Sequence, residues 1–153
     1  MTADDIDEAS ARRLLADQPF NRVVGARLAR FGSGVAVLEL DVQEHHLQQQ
    51  GLVHGGVLAY LVDNAVTFAA GSLLGPAVVT SGITVSYLRP ARHGLLRARA
   101  EVAQATSGVA VARAELVGVA PSGDRLCAIG QGTVMTTGRA VGRRGPTTAT
   151  AAP

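Results

Sequence analysis

From residue 51 to residue 71 the chain reads Gly-Leu-Val-His-Gly-Gly-Val-Leu-Ala-Tyr-Leu-Val-Asp-Asn-Ala-Val-Thr-Phe-Ala-Ala-Gly, apolar on nearly every side of a helix. A helix without a polar stripe must be surrounded by protein rather than laid on a surface. A chain of 153 residues, 47% of them apolar, is long enough to build one domain around such an element.

The flanking segments supply the surround. Residues 21–31 and 35–42 are rich in apolar and β-branched side chains and are separated by Gly32-Ser33-Gly34. Leu38, Leu40 and Val42 alternate with Glu39 and Asp41, which predicts a β-hairpin with one wet face. After Gly75-Pro76, β patterns run over residues 77–88, 95–105, 109–119 and 124–136, with turn residues at Ser107-Gly108 and at 121–124. Arg97, Arg99 and Glu101 alternate with Ala98, Ala100 and Val102, again one wet face. The expected class is α+β: an antiparallel sheet of about six strands wrapped around one long central helix, as a hairpin, the helix, then a four-stranded meander.

Residues 1–19 form a lead-in, in which Ser10 is placed to cap a short helix through Ala16 that stops before Pro19. Residues 20–137 are the folded domain. Residues 138–153, rich in Gly, Pro, Thr and Ala without periodicity, are expected to be a disordered tail.

Charge and composition exclude several classes. The 14 basic residues are all Arg, and Arg139, Arg143 and Arg144 lie in the acid-free tail; the remainder holds 11 Arg against 12 acids. No basic face or aromatic stacking platform is present in a chain with three Phe, two Tyr and no Trp, so nucleic acid is not an expected partner. The single Cys127 sits in an apolar run and reads as a buried thiol in a reducing compartment. The acidic first ten residues, and the interruption of the apolar run by Asp63 and Asn64, predict a cytoplasmic protein with no membrane span.

Asp63 is the most informative residue, because a carboxylate in an apolar helix loses solvation and is rarely kept without a partner or a task. The plainer reading is a hydrogen bond across a subunit contact or a locally wet side beside Asn64. His54-Gly55-Gly56 opens the same helix; glycines there let a ligand approach unpaired backbone N–H groups. An ordinary loop-to-helix junction explains them as well. Nine residues of helix separate His54 from Asp63 by roughly 13 Å and about half a turn. If the two share a reaction they come from different subunits, related by a two-fold axis.

The stretch Gln-Gly-Leu-Val-His-Gly-Gly-Val-Leu-Ala-Tyr-Leu-Val-Asp-Asn-Ala, followed by Thr80-Ser81 and by Val-Ser-Tyr-Leu-Arg-Pro-Ala at 85–91, resembles the phenylacetic-acid-pathway (PaaI-like) branch of the hotdog-fold acyl-CoA thioesterases. The likeness covers roughly residues 20–136. It implies a homodimer or dimer of dimers (a homotetramer), with active sites at the dimer interface. It further implies hydrolysis of acyl-CoA, with aryl-acetyl or medium-chain acyl groups, and no cofactor beyond the CoA of the substrate. Asp63 would be general base or nucleophile, Gly55 N–H would polarise the thioester carbonyl, and His54 would shape the turn. Gly56 and Thr80 or Ser81 would meet the substrate or the attacking water. Many relatives carry Asn six residues before the His where this chain has Gln48, which offers the same amide on a longer arm. Gln48 is therefore either a carbonyl- or water-positioning residue or part of a solvated turn.

Arg89 and Arg92 follow the strand that should border the site and are candidates for the CoA phosphates; two surface arginines in a turn is the alternative. Asp41 with His46 has the residue types of a hotdog enoyl-CoA hydratase, but Asp-Val-Gln-Glu-His-His does not match that pattern. His45, His46 and His54 lack a carboxylate or Cys at ligand spacing, so no metal is expected. Two other functions stay open: a non-catalytic acyl-CoA-binding protein and the hydratase. Tyr60, Phe68, Leu61 and Val57 are candidates to line an acyl tunnel, or are ordinary core.

Overall fold

The computed structural model describes residues 6–138. In chain order the elements are α1 (Glu8–Asp17), α2 (Pro19–Val24), β1 (Arg27–Gly32), β2 (Val35–Asp41), a 3-10 turn (Glu44–His46), α3 (Gly55–Leu74), β3 (Val78–Tyr87), β4 (Leu95–Ala105), β5 (Val109–Val119) and β6 (Arg125–Thr136). The six strands form one antiparallel sheet in the order β1-β2-β4-β5-β6-β3, with α3 packed against its inner face. This is the hotdog architecture.

Period-2 patterning decides which residues face α3. Ala98 and Ala100 on β4, Ala110, Ala112 and Ala114 on β5, and Ala128 on β6 are all buried, whereas Arg99, Glu101, Arg113 and Glu115 point outward. Small inward side chains let a bulky helix lie close. On β6 the fit is closer still: a Cβ on Gly130 would stand 2.4 Å from Val62 Cγ1, and one on Gly132 would stand 2.8 Å from Val66 Cγ1. Both glycines are there because α3 occupies the space a side chain needs.

Leu61, Val62, Ala65, Val66, Ala69 and Ala70 of α3 are fully buried. Burying each Leu or Val stabilises by about 1.5–3 kcal/mol. The outer-face pair Arg27–Asp41, 2.5 Å apart with side chains 53% and 60% exposed, adds at most about 1 kcal/mol. The helix–sheet contact therefore dominates. By length and composition α3 would also pass as a membrane span, but here it is the core helix inside the sheet.

Three expectations need correction. The last four strands are not a meander: β3 pairs with β6 (Ile83↔Gly132) at the far edge, and only β4, β5 and β6 follow one another. The seven-residue connection 88–94 is too long for a tight hairpin and runs from the edge strand β3 back to the middle of the sheet instead. Leu88 N donates to Cys127 O, Val53 N to Ala91 O and Val42 N to Gly94 O, which pins the crossing at three points. Residues 21–31 are not one strand: Pro19 starts a turn of helix and Gly25, at φ +83°, ends it before β1 begins. Ser10 is not the cap of α1, because Asp7 Oδ1 accepts from Ser10 N at 2.6 Å and the helix starts three residues earlier. Hydrogen bonding from the Ser10 side chain, and then from its backbone N–H, holds the Asp7 carboxyl below its usual pKa. The expected tail lies, apart from Gly138, outside the described residues.

Gly130→Ala and Gly132→Ala are each expected to destabilise by about 1–3 kcal/mol, the usual cost of forcing an extra methyl into a filled core. Chemical denaturation would check this, and unchanged midpoints would contradict the close packing of Val62 and Val66 on β6.

Candidate active site

The start of α3 is built by a side-chain cap. His54 is the N-cap residue, and its Nδ1 accepts from Gly56 N at 2.8 Å. A Cβ on Gly56 would meet that nitrogen at 2.9 Å, so Gly56 is small because the His54 ring closes over it. The Gly56 N–H is thus occupied by His54. Gly55 N–H has no acceptor among the described residues, while Gly55 O accepts from the Tyr87 hydroxyl at 3.1 Å. One unpaired donor at a helix N-terminus, where the macrodipole favours negative charge, remains exposed to a ligand.

Gly55 lies in a cleft of about 310 Å³ that also includes Gln48, Leu58, Tyr87, Arg89 and Pro90. Gln48 Oε1 accepts from Gln50 N in its own turn, so its amide NH2 is the end left over. Arg89 Nη1 donates to Leu126 O at 3.1 Å, which anchors the guanidinium at the cleft wall. Arg92 is exposed and stands outside this lining. The structure therefore gathers Gly55, Gln48 and Arg89 in one place and leaves Arg92 out of it.

Asp63 sits two turns further along α3. Its Oδ1 accepts from the Thr80 hydroxyl at 2.7 Å, and the Thr80 oxygen is 2.8 Å from the Thr67 hydroxyl. Asp63 O, 2.9 Å from the Thr67 hydroxyl, is the competing acceptor for its one proton. Thr80 has a single proton and gives it to the carboxylate, so Thr67 is the donor to Thr80. This chain fixes Oδ1 and leaves Oδ2 with no partner among the described residues. Ser81 does not join it: it occupies the bulge between Thr80 and Gly82, and its hydroxyl donates to Thr133 O at 3.2 Å.

Thr67 and Tyr87 were missed in the sequence. Thr67 was findable, since it stands at i+4 from Asp63 and so on the same helix face. Tyr87 gave no comparable signal, because its partner is a backbone carbonyl set by the tertiary fold.

Asp63 is half-buried rather than enclosed. With Ala59 and Thr67 at i±4 it forms a strip of α3 that one chain only partly covers. Tyr60, close by, donates to Asn21 Oδ1 at 2.8 Å, and Asn21 in turn bonds the N and O of Ala26. Burial pushes the Tyr60 phenol up to about 12, and the Asp63 charge acts in the same direction, so Tyr60 remains a neutral donor. Of the other tunnel candidates, Leu61 is pure core, and Phe68 lines a separate cavity.

His46 is structural. Its Nδ1 accepts from Gln43 N at 2.9 Å and its Nε2 donates to Val24 O at 2.7 Å, so both ring nitrogens are engaged. Asp41 pairs with Arg27, not with His46. The hydratase pairing is therefore absent from the geometry.

The wrapped helix is that of the hotdog thioester hydrolases, and it carries a free N–H at its start and a hydroxyl-anchored carboxylate two turns on. The chain belongs to the thioesterase superfamily, whose profile matches residues 50–118. It is 34% identical over 133 residues to a Halobacterium salinarum protein that carries a provisional esterase name, covering 81% of this chain and 87% of that one. Human acyl-coenzyme A thioesterase 13 is 35% identical over 77 residues, 49% of this chain and 55% of the human protein. Among solved structures, the Escherichia coli PaaI protein from the phenylacetic acid degradation operon superposes with a TM-score of 0.76 at 27% identity, covering 84% of this chain and 91% of that one.

His46 makes the loop before α3 sensitive to pH. Burial and the nearby His45 lower its pKa below the ordinary value, against the raising effect of the Val24 carbonyl. A lowered pKa means that the unfolded chain binds the proton more readily. The stability His46 contributes is therefore complete above about 6.5 and is lost as pH falls through the depressed folded value. Urea midpoints should decline on acidification below that point, and His46→Gln should lower stability at neutral pH while flattening that decline.

Proposed function

We propose that this protein hydrolyses acyl-CoA thioesters to the free acid and CoA, at sites shared between two copies of the chain. The observation that carries the proposal is the pairing of two incomplete halves. One is an unpaired N–H at Gly55, the other a carboxylate oxygen at Asp63, and α3 separates them by about two turns. The names of the relatives above, one an acyl-coenzyme A thioesterase, support the substrate class.

A second copy supplies what one chain lacks. β3 is an edge strand, and Val79 and Ile83 on it are 52% and 40% exposed. An exposed apolar edge is a template for pairing, and an antiparallel two-fold contact there runs the two α3 helices in opposite directions. Gly55 of one copy then faces Asp63 of the other. Dimers of such dimers fit the same reading.

In the reaction Asp63 Oδ2 takes a proton from water as its oxygen bonds to the thioester carbon. The negative charge that develops on the carbonyl oxygen is met by the Gly55 N–H, with the free Gln48 amide in the same cleft. Collapse breaks the C–S bond, and the proton held by Asp63 passes to the departing CoA sulfur. Direct attack by Asp63, forming a mixed anhydride that water then opens, begins from the same geometry. Label entering the Asp63 carboxylate in a single turnover in 18O-labelled water marks an anhydride opened at the Asp63 carbonyl, a result that direct attack by water cannot give. His54 holds the turn, Thr80 orients the carboxylate, and Arg89 faces the CoA phosphates.

Gly55→Pro removes the N–H without disturbing the backbone. Proline suits the first helical position, and His54, at φ −59° and ψ 135°, already has the conformation a residue before proline requires. We expect kcat to fall by about 10²–10³ in Gly55→Pro and 10²–10⁴ in Asp63→Asn, with the fold retained. Mixing the two inactive variants under exchange conditions should restore about a quarter of wild-type activity, because half the dimers are then mixed and each has one intact site. No thiol release from any acyl-CoA by the wild type would sink the function. Activity in both single variants with no complementation would sink the shared site.

A further inference from the structure

The outer face of the sheet is divided in two. Over β1, β2 and β4 it carries charges that pair within the chain: Arg27 with Glu39 and Asp41, Arg97 with Glu39, and Arg99 with Glu101. Over β5, β6 and β3 it is nearly uncharged. β3 has no charged residue, and neither has β6 from Ile129 to its end. Apart from two residues on β5, the side chains that register places on this half are Val, Ile, Met, Thr, Ser and Gln. Among them Val79, Ile129 and Met135 are 52%, 41% and 43% exposed. Depletion of charge together with exposed aliphatic side chains is the composition of a contact surface rather than of a solvated one.

The two residues that interrupt this half are Arg113 and Glu115. Register sets Arg113 beside Glu101 and Glu115 beside Arg99, but those two neighbours bond each other at 2.8 Å. Arg113 and Glu115 are left without an ion pair or side-chain hydrogen bond among the described residues. They stand as a ridge between two shallow hollows of about 340 and about 350 Å³, one toward β4 and one toward β6 and β3. Opposite charges two residues apart on one strand complement their own image. A two-fold axis in the plane of the contact, crossing β5 at Ala114, sets Arg113 of one copy over Glu115 of the other and the reverse. Aligned face-to-face packing of two sheets, roughly 10 Å apart, brings such side chains within reach.

We infer that the uncharged half of the outer sheet face, over β5, β6 and β3, is an interface between two copies of this chain, set in register by reciprocal Arg113–Glu115 pairs. It is separate from the β3 edge and uses neither Gly55 nor Asp63, so it does not rest on the thioesterase reading. A second copy is favoured over an unrelated protein because symmetry supplies the matching charges. The pairs fix orientation, and the aliphatic side chains around them provide the affinity. Pairing of β3 with its own copy would lay two uncharged halves side by side on one continuous sheet and enlarge the contact. Chains joined by their edges and again by their faces make an assembly of four.

Sedimentation velocity of the full chain over a range of concentrations tests this. Wild type should run as four chains and Glu115→Arg as two, with the dissociation constant of that step raised about a hundredfold or more, since arginine then faces arginine. The swap Arg113→Glu/Glu115→Arg restores opposite charges across the axis and should restore the larger mass. Ile129→Lys puts a charge into the uncharged part without touching the pair, and should also halve the mass. All three positions are exposed, so urea midpoints and thiol release per chain should match the wild type and separate a lost contact from a lost fold. Where the edge contact is absent, the masses fall from two chains to one, which supports the face contact and removes the shared site. Equal masses for wild type, Glu115→Arg and Ile129→Lys would overturn the inference and leave this face to water or to a different protein. Halving in Glu115→Arg without recovery in the swap would overturn it as well, because the reciprocal pairs would then not exist.

Discussion

Everything in this molecule depends on the packing of α3 against a sheet whose inner face over the middle of β4, β5 and β6 is alanine and glycine, with Leu96, Leu116 and Val134 beyond them. A helix with so little polar surface cannot be solvated, and six strands must curve around it. Curvature alone would not suffice if the inner residues were large. Ala98, Ala112 and Ala128, with Gly130 and Gly132, bring the sheet close enough for Val62 and Val66 to fill the remaining space. The ion pairs on the outer face, partly or largely exposed, are secondary to this contact.

The wrap leaves one strip of α3, around Ala59, Asp63 and Thr67, only half covered. An apolar helix that must be enclosed, and a sheet that stops at β3, together call for a second surface. The strip also explains how a carboxylate survives on such a helix. In the monomer Asp63 keeps some contact with water and has a hydroxyl donor in Thr80, so its charge is neither stranded nor satisfied at both oxygens. The same incomplete cover leaves Oδ2 without a partner among the described residues, which is the oxygen the proposed reaction uses.

Much of this was legible in the sequence, for physical reasons. The central helix could be read because an all-apolar run with a lone carboxylate has few other solutions, and β4 and β5 because Arg and Glu alternate with Ala. The placement of β3 beside β6 could not, since period-2 patterning states which face a residue takes and not which strand it joins. Asn21 was hidden in what read as a strand; its role is to tie α2 to Ala26 in the link before β1 and to Tyr60 of α3, and only the folded chain brings these together. At the site, Asp63, Gly55 and Gln48 carry motif information. Thr67 is readable only once Asp63 is known to face it, and Thr80 could be chosen over Ser81 only when the bulge after it was seen.

The opening of α3 shows how local chemistry divides labour among adjacent residues. Four N–H groups at a helix start lack intrahelical acceptors. Gly56 N donates to the His54 ring, and Val57 N donates to His54 O at 2.9 Å. Gly55 O is held by Tyr87, which fixes the plane of the 55–56 peptide. Of the first three N–H groups, only that of Gly55 is left free, in a turn braced by His54 N donating to the carbonyl of buried His46 at 2.8 Å. A donor for a developing oxyanion has to be rigid before the charge appears, because reorganisation during the reaction would consume the stabilisation it offers. Here the rigidity of the turn comes from the cap, the tyrosine and the buried histidine, none of which the proposed mechanism sets against the thioester.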